Sequence, residues 1–136
     1  MKVNPYLHFK GNCAEAIAFY ENAFGIKAKN IVRFSDTMIR DDKQKPGQEN
    51  YIQHACLSFG KENAMHGLMM SDWEDAEIGR NISISVALKT PEEAKLVFDK
   101  LKLGGVVETE LAKQFWTECW GSLTDKFGIM WQITIV

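Results

Sequence analysis

Apolar residues recur every three to four positions in two stretches of this chain and every second position in several others. In the first helical stretch Ala16, Phe19, Tyr20 and Ala23 make an i, i+3, i+4, i+7 stripe, widened by Ile17 and Phe24. Asn12 is placed to cap it, with Glu15 set to close a capping box and Phe24-Gly25 to end it. In the second, Ala94, Val97, Phe98 and Leu101 form the stripe, and Thr90 is the cap. Pro91 follows at the first helical position, where no amide donor is lost, and Gly104-Gly105 ends the segment. The two stretches are copies: Glu15 and Glu93, Ala16 and Ala94, and Tyr20 and Phe98 all stand 78 residues apart.

Strand patterning surrounds each helix. Residues 3–9, 29–38, 51–59 and 64–71 read as strands of the first copy. Residues 81–88, 105–111, 113–122 and 129–136 read as those of the second. Residues 39–50 are polar, contain Pro46-Gly47 and are expected to form a long loop. A hairpin is expected across residues 60–63, and a polar connector with Trp73 joins the copies. The order is strand, helix, three strands, repeated once. It predicts two βαβββ units, about residues 3–72 and 80–136, within a single domain spanning 1–136. A domain built from two copies of one unit is expected to hold a ligand where residues of both converge.

The 136 residues carry a formal net charge of −2, a pI near 5.9, 46% hydrophobic and 25% charged residues. These are values of an ordinary globular protein, with no basic footprint for nucleic acid or an anionic membrane. No run approaches the roughly 20 apolar residues of a membrane span, and the N-terminus lacks the apolar core of a secretory signal. The expected location is the cytoplasm. Cys13, Cys56 and Cys119 show neither a CxxC pair nor zinc-ligand spacing, and read as reduced thiols. Cys13, at a helix start, is the one candidate for a reactive thiolate.

Four segments in order resemble the PhnB-like branch of the glyoxalase/bleomycin-resistance (vicinal oxygen chelate) superfamily. They are NPYLHFKGNCAEAIAFYENAFG at 4–25, HACLSFG at 54–60, GLMMSD at 67–72 and FWTECWGSLTDKFGIMWQI at 115–133. The resemblance implies an α+β fold of two tandem βαβββ units whose curved mixed sheets surround a shared cleft, with helices outside. It also implies a homodimer. Residues 61–66 depart from the family's tight turn. In metal-dependent members the ligands come from the first and last strand of each unit, and the matched positions here are Pro5, Met69, Asn81 and Gln132. Proline has no donor side chain, a thioether is soft, and neutral amides hold hard cations poorly. No metal and no cofactor are therefore expected. The label demethylubiquinone methyltransferase, which the family sometimes carries, finds no Gly-rich turn in a doubly wound pattern to support it. Phosphonate chemistry likewise finds no phosphate-cradling loop or arginine cluster.

Alternation points to the ligand-facing residues independently. Asn81, Ser83 and Ser85 share one face of their strand, as do Gln132 and Thr134 of theirs, with apolar residues on the other faces. In the first strand Leu7 and Phe9 belong with the helix, which turns Tyr6 and His8, rather than Pro5, to the ligand. A regular turn at 60–63 pairs His54 with about Met69 and puts His66 on the opposite face, exposed. His54 and His8 are the candidate acid/base residues, because an unperturbed imidazole titrates near neutral pH. Trp131 is expected in the core, and Met65, Met69 and Met70 as soft strand fillers. Trp116 and Trp120 are expected either to stack on a ligand or to pack across a subunit interface. Asp72 and Asp125 are expected to cap turns. The expected function is a metal-free homodimer binding a small organic molecule through Tyr6, His54, Met69, Asn81, Ser83, Trp116 and Gln132. The alternative is an enzyme using a histidine acid/base or a non-standard metal site.

Overall fold

The computed structural model describes residues 1–36, 47–60 and 67–136. The chain forms two compact units, Met1–Ala76 and Glu77–Val136. The first contains β1 (Tyr6–Phe9), α1 (Cys13–Phe24), β2 (Lys29–Arg33), β3 (Ile52–Ser58) and β4 (Gly67–Asp72). A short 3₁₀ turn, Phe34–Asp36, follows β2. The second contains β5 (Ser83–Leu88), α2 (Pro91–Leu101), β6 (Val106–Gln114), β7 (Thr117–Thr124) and β8 (Met130–Ile135). The expected tandem βαβββ order is present.

Each unit has one four-stranded mixed sheet, ordered β1-β4-β3-β2 in the first and β5-β8-β7-β6 in the second. The outer pair β1/β4 is parallel and the pairs β3/β4 and β2/β3 are antiparallel; β5/β8, β7/β8 and β6/β7 repeat that pattern. The repeat is therefore one of topology, not only of helix sequence.

The period-2 patterns decide which sheet face each helix covers. In the first unit Phe9, Ala55, Leu57, Leu68 and Met70 are buried and meet the stripe Cys13, Ala16, Ile17, Tyr20 and Ala23 of α1. In the second, Leu123, Trp131 and Ile133 are buried against Ala94, Val97, Phe98 and Leu101 of α2. The copied positions Ala16, Ala94, Tyr20 and Phe98 are all core. Trp131 is buried as expected, and its Nε1–H donates to Asp125 at 2.8 Å.

The two helix starts differ. At α2 the Thr90 hydroxyl accepts from the Glu93 amide at 3.2 Å, and the Glu93 carboxylate accepts from the Lys89 amide at 3.1 Å. At α1 Asn12 makes no side-chain cap bond. The cap comes from Asp72, at the end of β4. Its buried carboxylate accepts from the Cys13 amide at 3.0 Å and the Ile52 amide at 2.8 Å. Asp72 thus caps a helix distant in sequence rather than a turn. Asp125 does cap its turn, accepting from the amides of Phe127 at 2.9 Å and Ile129 at 3.0 Å.

Several boundaries shift from the sequence expectation. β5 starts at Ser83, so Asn81 lies outside the strand and is exposed. The break between β6 and β7 falls at Phe115-Trp116, which places Trp116 at a hairpin tip instead of inside a strand. β3 and β4 pair Cys56 with Met69 and Leu57 with Leu68, two residues from the register expected of His54 and Met69. A shift of two preserves the face. The expected exposure of His66, the filler role of Met65, the hairpin turn and most of the loop at 39–50 lie outside the described residues. Among the described residues, no helix is long and apolar enough to cross a membrane.

Candidate functional site

On the first unit's sheet, the face away from α1 collects polar and aromatic side chains from three adjacent strands. β1 supplies Tyr6 and His8, because Leu7 and Phe9 turn toward the helix. β4 supplies Met69 and Ser71, since Leu68 and Met70 are core. β3 supplies His54 and Cys56. The parallel register sets Tyr6 against Met69 and His8 against Ser71. Alternation in β1 thus placed Tyr6 and His8 correctly; Pro5 precedes the strand, and its carbonyl accepts from the Met69 amide at 3.0 Å.

These side chains are connected. The Tyr6 hydroxyl lies 2.8 Å from Nδ1 of His54, and the Ser71 hydroxyl 2.9 Å from Nδ1 of His8. The Tyr6 ring stacks on His8, with centroids 5.0 Å apart and planes 12° apart, and Trp73 meets His8 edge-on at 5.3 Å. Partial burial raises the Tyr6 pKa above the ordinary phenol value, and Ser71 opposes part of that rise. The phenol keeps its proton at neutral pH and donates to His54 Nδ1 when that nitrogen is unprotonated, which leaves the His54 ring proton on Nε2. Ser71 and Trp73 are members that sequence reasoning did not single out. Ser71 carried a signal, as the one hydroxyl on the Met69 face of its strand; Trp73 sits beyond the strand end, where alternation says nothing.

The second unit has a matching face. The Gln132 amide donates to the Ser83 hydroxyl at 2.9 Å, and its carbonyl accepts from Trp120 Nε1–H at 3.4 Å. Trp120 meets Trp116 at 5.8 Å, and Trp116 meets Phe115 at 4.6 Å. Phe115 is 97% exposed and Trp116 56% exposed, so the hairpin tip is an aromatic surface. Ser85 is the Cα partner of Gln132 as Tyr6 is of Met69. Of the expected residues, Tyr6, His54, His8 and Met69 share the first face and Ser83 and Gln132 the second. Trp116 connects to the second through Trp120, and Asn81 joins neither.

The residues do not suit a divalent metal. Among the described residues no group of three or more His, Cys, Asp or Glu side chains stands together. Gln132 spends both ends of its amide on Ser83 and Trp120. The thiols do not suit nucleophilic chemistry. All three are buried. Burial, reinforced by the charge of Asp72, pushes the Cys13 thiol up to about 12. Burial first, and the Asp72 carboxylate second, outweigh the lowering expected at a helix N-terminus.

The family model described as 3-demethylubiquinone-9 3-methyltransferase matches residues 1–134. The chain belongs to this family. It is the PhnB-like branch of the glyoxalase/bleomycin-resistance superfamily. Protein YjdN of Escherichia coli K12 is 30% identical over 141 residues, covering 100% of this chain and 96% of YjdN. The crystal structure of protein PA1353 from Pseudomonas aeruginosa superposes with a TM-score of 0.83 at 30% identity, over 99% of this chain and 97% of that one. A PhnB protein from Bacillus cereus gives 0.74 at 28% identity over the whole of both chains. The wider fold extends to the fosfomycin-resistance protein FosX of Listeria monocytogenes, solved with Mn(II) and a dihydroxypropylphosphonic acid. That match has a TM-score of 0.64 at 12% identity over 99% of this chain and 91% of FosX, a likeness of fold alone.

Proposed function

We propose that this PhnB-like chain binds a small organic molecule without a metal ion, on the sheet face carrying Tyr6, His8, His54, Met69 and Ser71. The observation that carries this reading is the pair of hydroxyl–imidazole hydrogen bonds, Tyr6 to His54 and Ser71 to His8. They hold two imidazoles in fixed orientation beside aromatic and thioether walls: neutral polar groups among apolar surface, as small-molecule sites require. Tyr6 is 44% exposed and Trp73 54% exposed, so a ligand can reach them. The second face, with Ser83, Gln132 and Trp120, has the same neutral character. The methyl transfer in the family's description gains no support from the geometry. Both sheets are mixed and largely antiparallel, whereas a dinucleotide-like cofactor crevice belongs to parallel doubly wound sheets.

Thermal-shift screening of aromatic, quinone and antibiotic-like compounds tests the proposal. A stabilising compound whose effect survives EDTA and is lost in His54→Ala and Tyr6→Phe supports it. A hit that depends on added metal, or that both variants retain, rules it out.

The proposed assembly is a cytoplasmic homodimer. The support is the aromatic tip Phe115-Trp116, since an almost fully exposed Phe beside an exposed Trp marks an interaction surface.

A further inference from the structure

We infer that the second unit carries a binding site of its own, for a neutral sugar ring, on the sheet face turned away from α2. It uses none of the residues of the Tyr6–His54 face. Gly121, Leu123, Trp131 and Ile133 lie on the helix side, so alternation turns the residues between them to the other. The strand register lines up Ser85, Gln132 and Ser122 across β5, β8 and β7. The next row along the strands is Ala87, Thr134, Trp120 and Ala112. The first row is polar and uncharged. The second is one half-buried indole among small side chains, so a ligand ring can lie against it.

The chemistry of the two rows selects the ligand. Gln132 is held from both sides, donating to the Ser83 hydroxyl at 2.9 Å and accepting from Trp120 Nε1–H at 3.4 Å. Its amide keeps one N–H and one lone pair for a ligand. The hydroxyls of Ser85 and Ser122, on either side of it, have no hydrogen-bond partner among the described residues. Ser85 is exposed and Ser122 half-buried. With strands about 4.8 Å apart, the two serines stand roughly 10 Å apart with the amide between them, the width of one pyranose with its substituents. Each group of the row both donates and accepts, as does each hydroxyl of a sugar, so every pairing can be made. A ligand with acceptors alone would leave its own side of half these bonds unmade. A charged ligand would find no counter-ion in either row. Glu108, which accepts from Thr124 at 2.9 Å, is already paired with Arg80 at 2.6 Å, and burying an unpaired charge is unfavourable. Trp120 supplies the apolar half, because the negative π face of an indole attracts the C–H groups on the face of a sugar ring. Gln132 pins its N–H edge, and Trp116 abuts it at 5.8 Å and 65°, so the ring is oriented before a ligand arrives.

Titration of the full ¹⁵N-labelled chain with methyl β-D-glucopyranoside, methyl β-D-galactopyranoside and methyl α-D-mannopyranoside tests the site. The readout is the Trp120 indole N–H, which Trp120→Phe assigns. At least one of the three sugars is expected to shift that signal saturably, with saturation transfer to its C–H protons. Replacing Ser85 and Ser122 together with Ala leaves the core untouched and is expected to weaken binding at least about tenfold, the scale of two lost hydrogen bonds. Trp120→Ala is expected to abolish it. The site is overturned if none of the sugars shifts the Trp120 signal up to its solubility limit, or if the double serine variant binds as wild type does. It is equally overturned if glucuronate or phenol shifts Trp120 and the neutral sugars do not. A sugar that shifts His8, His54 and Met69 but not Trp120 overturns it while supporting the first face.

Discussion

At the residue scale, two buried groups show how a distant partner overrides a local signal. Asn12 and Glu15 have the form of a capping box, yet the amide of Cys13 is satisfied by Asp72, 59 residues away. No local pattern encodes that contact. Asp72→Ala leaves the buried amides of Cys13 and Ile52 without an acceptor, and charge-assisted bonds of this kind contribute about 1.5–3 kcal/mol each. A loss of about 3 kcal/mol or more in urea unfolding is expected, with Asp72→Asn intermediate. Cys13 was legible as a thiol at a helix start, but the rise of its pKa comes from burial first and from Asp72 second, neither of which a local pattern shows. The native thiol is expected to resist alkylating reagents at pH 8 and to react on unfolding. Because its folded pKa, about 12, lies above its ordinary value of 9.0, the unfolded chain releases this proton first as pH rises. The associated stability is complete below pH 9 and is lost progressively between pH 9 and pH 12, on the order of a few kcal/mol.

At the element scale, strand faces were legible and strand ends were not. Period-2 alternation assigned Tyr6 and His8 to one face of β1, and a two-residue slip in the β3/β4 register left His54 and Met69 facing the same way. Ends depend on turn geometry, which the segment QFWTEC hides because its apolar residues continue the strand pattern through the hairpin tip. The tip residues Phe115 and Trp116 project from β6 and β7 with little covering them. Replacing both with Ser is expected to cost less than about 1 kcal/mol in stability, as surface changes do. It should convert the proposed dimer to monomer in analytical ultracentrifugation; an unchanged mass would remove the tip from the interface. Gly121, by contrast, faces α2. A Cβ there would stand 2.9 Å from the Phe98 ring and 2.9 Å from the Leu111 Cα, so Gly121→Ala forces strand and helix apart. Overpacking of this type costs about 1–3 kcal/mol, measurable by denaturant midpoint.

At the scale of the whole molecule, the duplication was the most legible feature. Helices of the two copies start 78 positions apart, first strands 77 and last strands 63. No single offset transfers a position from one copy to the other; Asn81 was placed on a strand because the alternation of NISISVAL runs through it, whereas the strand begins at Ser83. What the copies retain is topology, and what they have replaced is donor chemistry: Tyr6 and Met69 stand opposed in one, Ser85 and Gln132 in the other. Neutral hydroxyl, imidazole, amide and thioether groups occupy faces that a catalytic metal would need lined with three or more grouped His, Cys or carboxylate side chains, and among the described residues no such group stands together. The most direct test is an NMR titration of EDTA-treated protein, labelled at methionine methyls and histidine rings, with the strongest compound from the thermal-shift screen. Saturable shifts of the Met69 methyl and of the His8 and His54 rings, abolished by Tyr6→Phe, are the expected result. Binding that appears only after Zn(II) or Mn(II) is added, or that leaves all three residues unperturbed, would contradict the metal-free site.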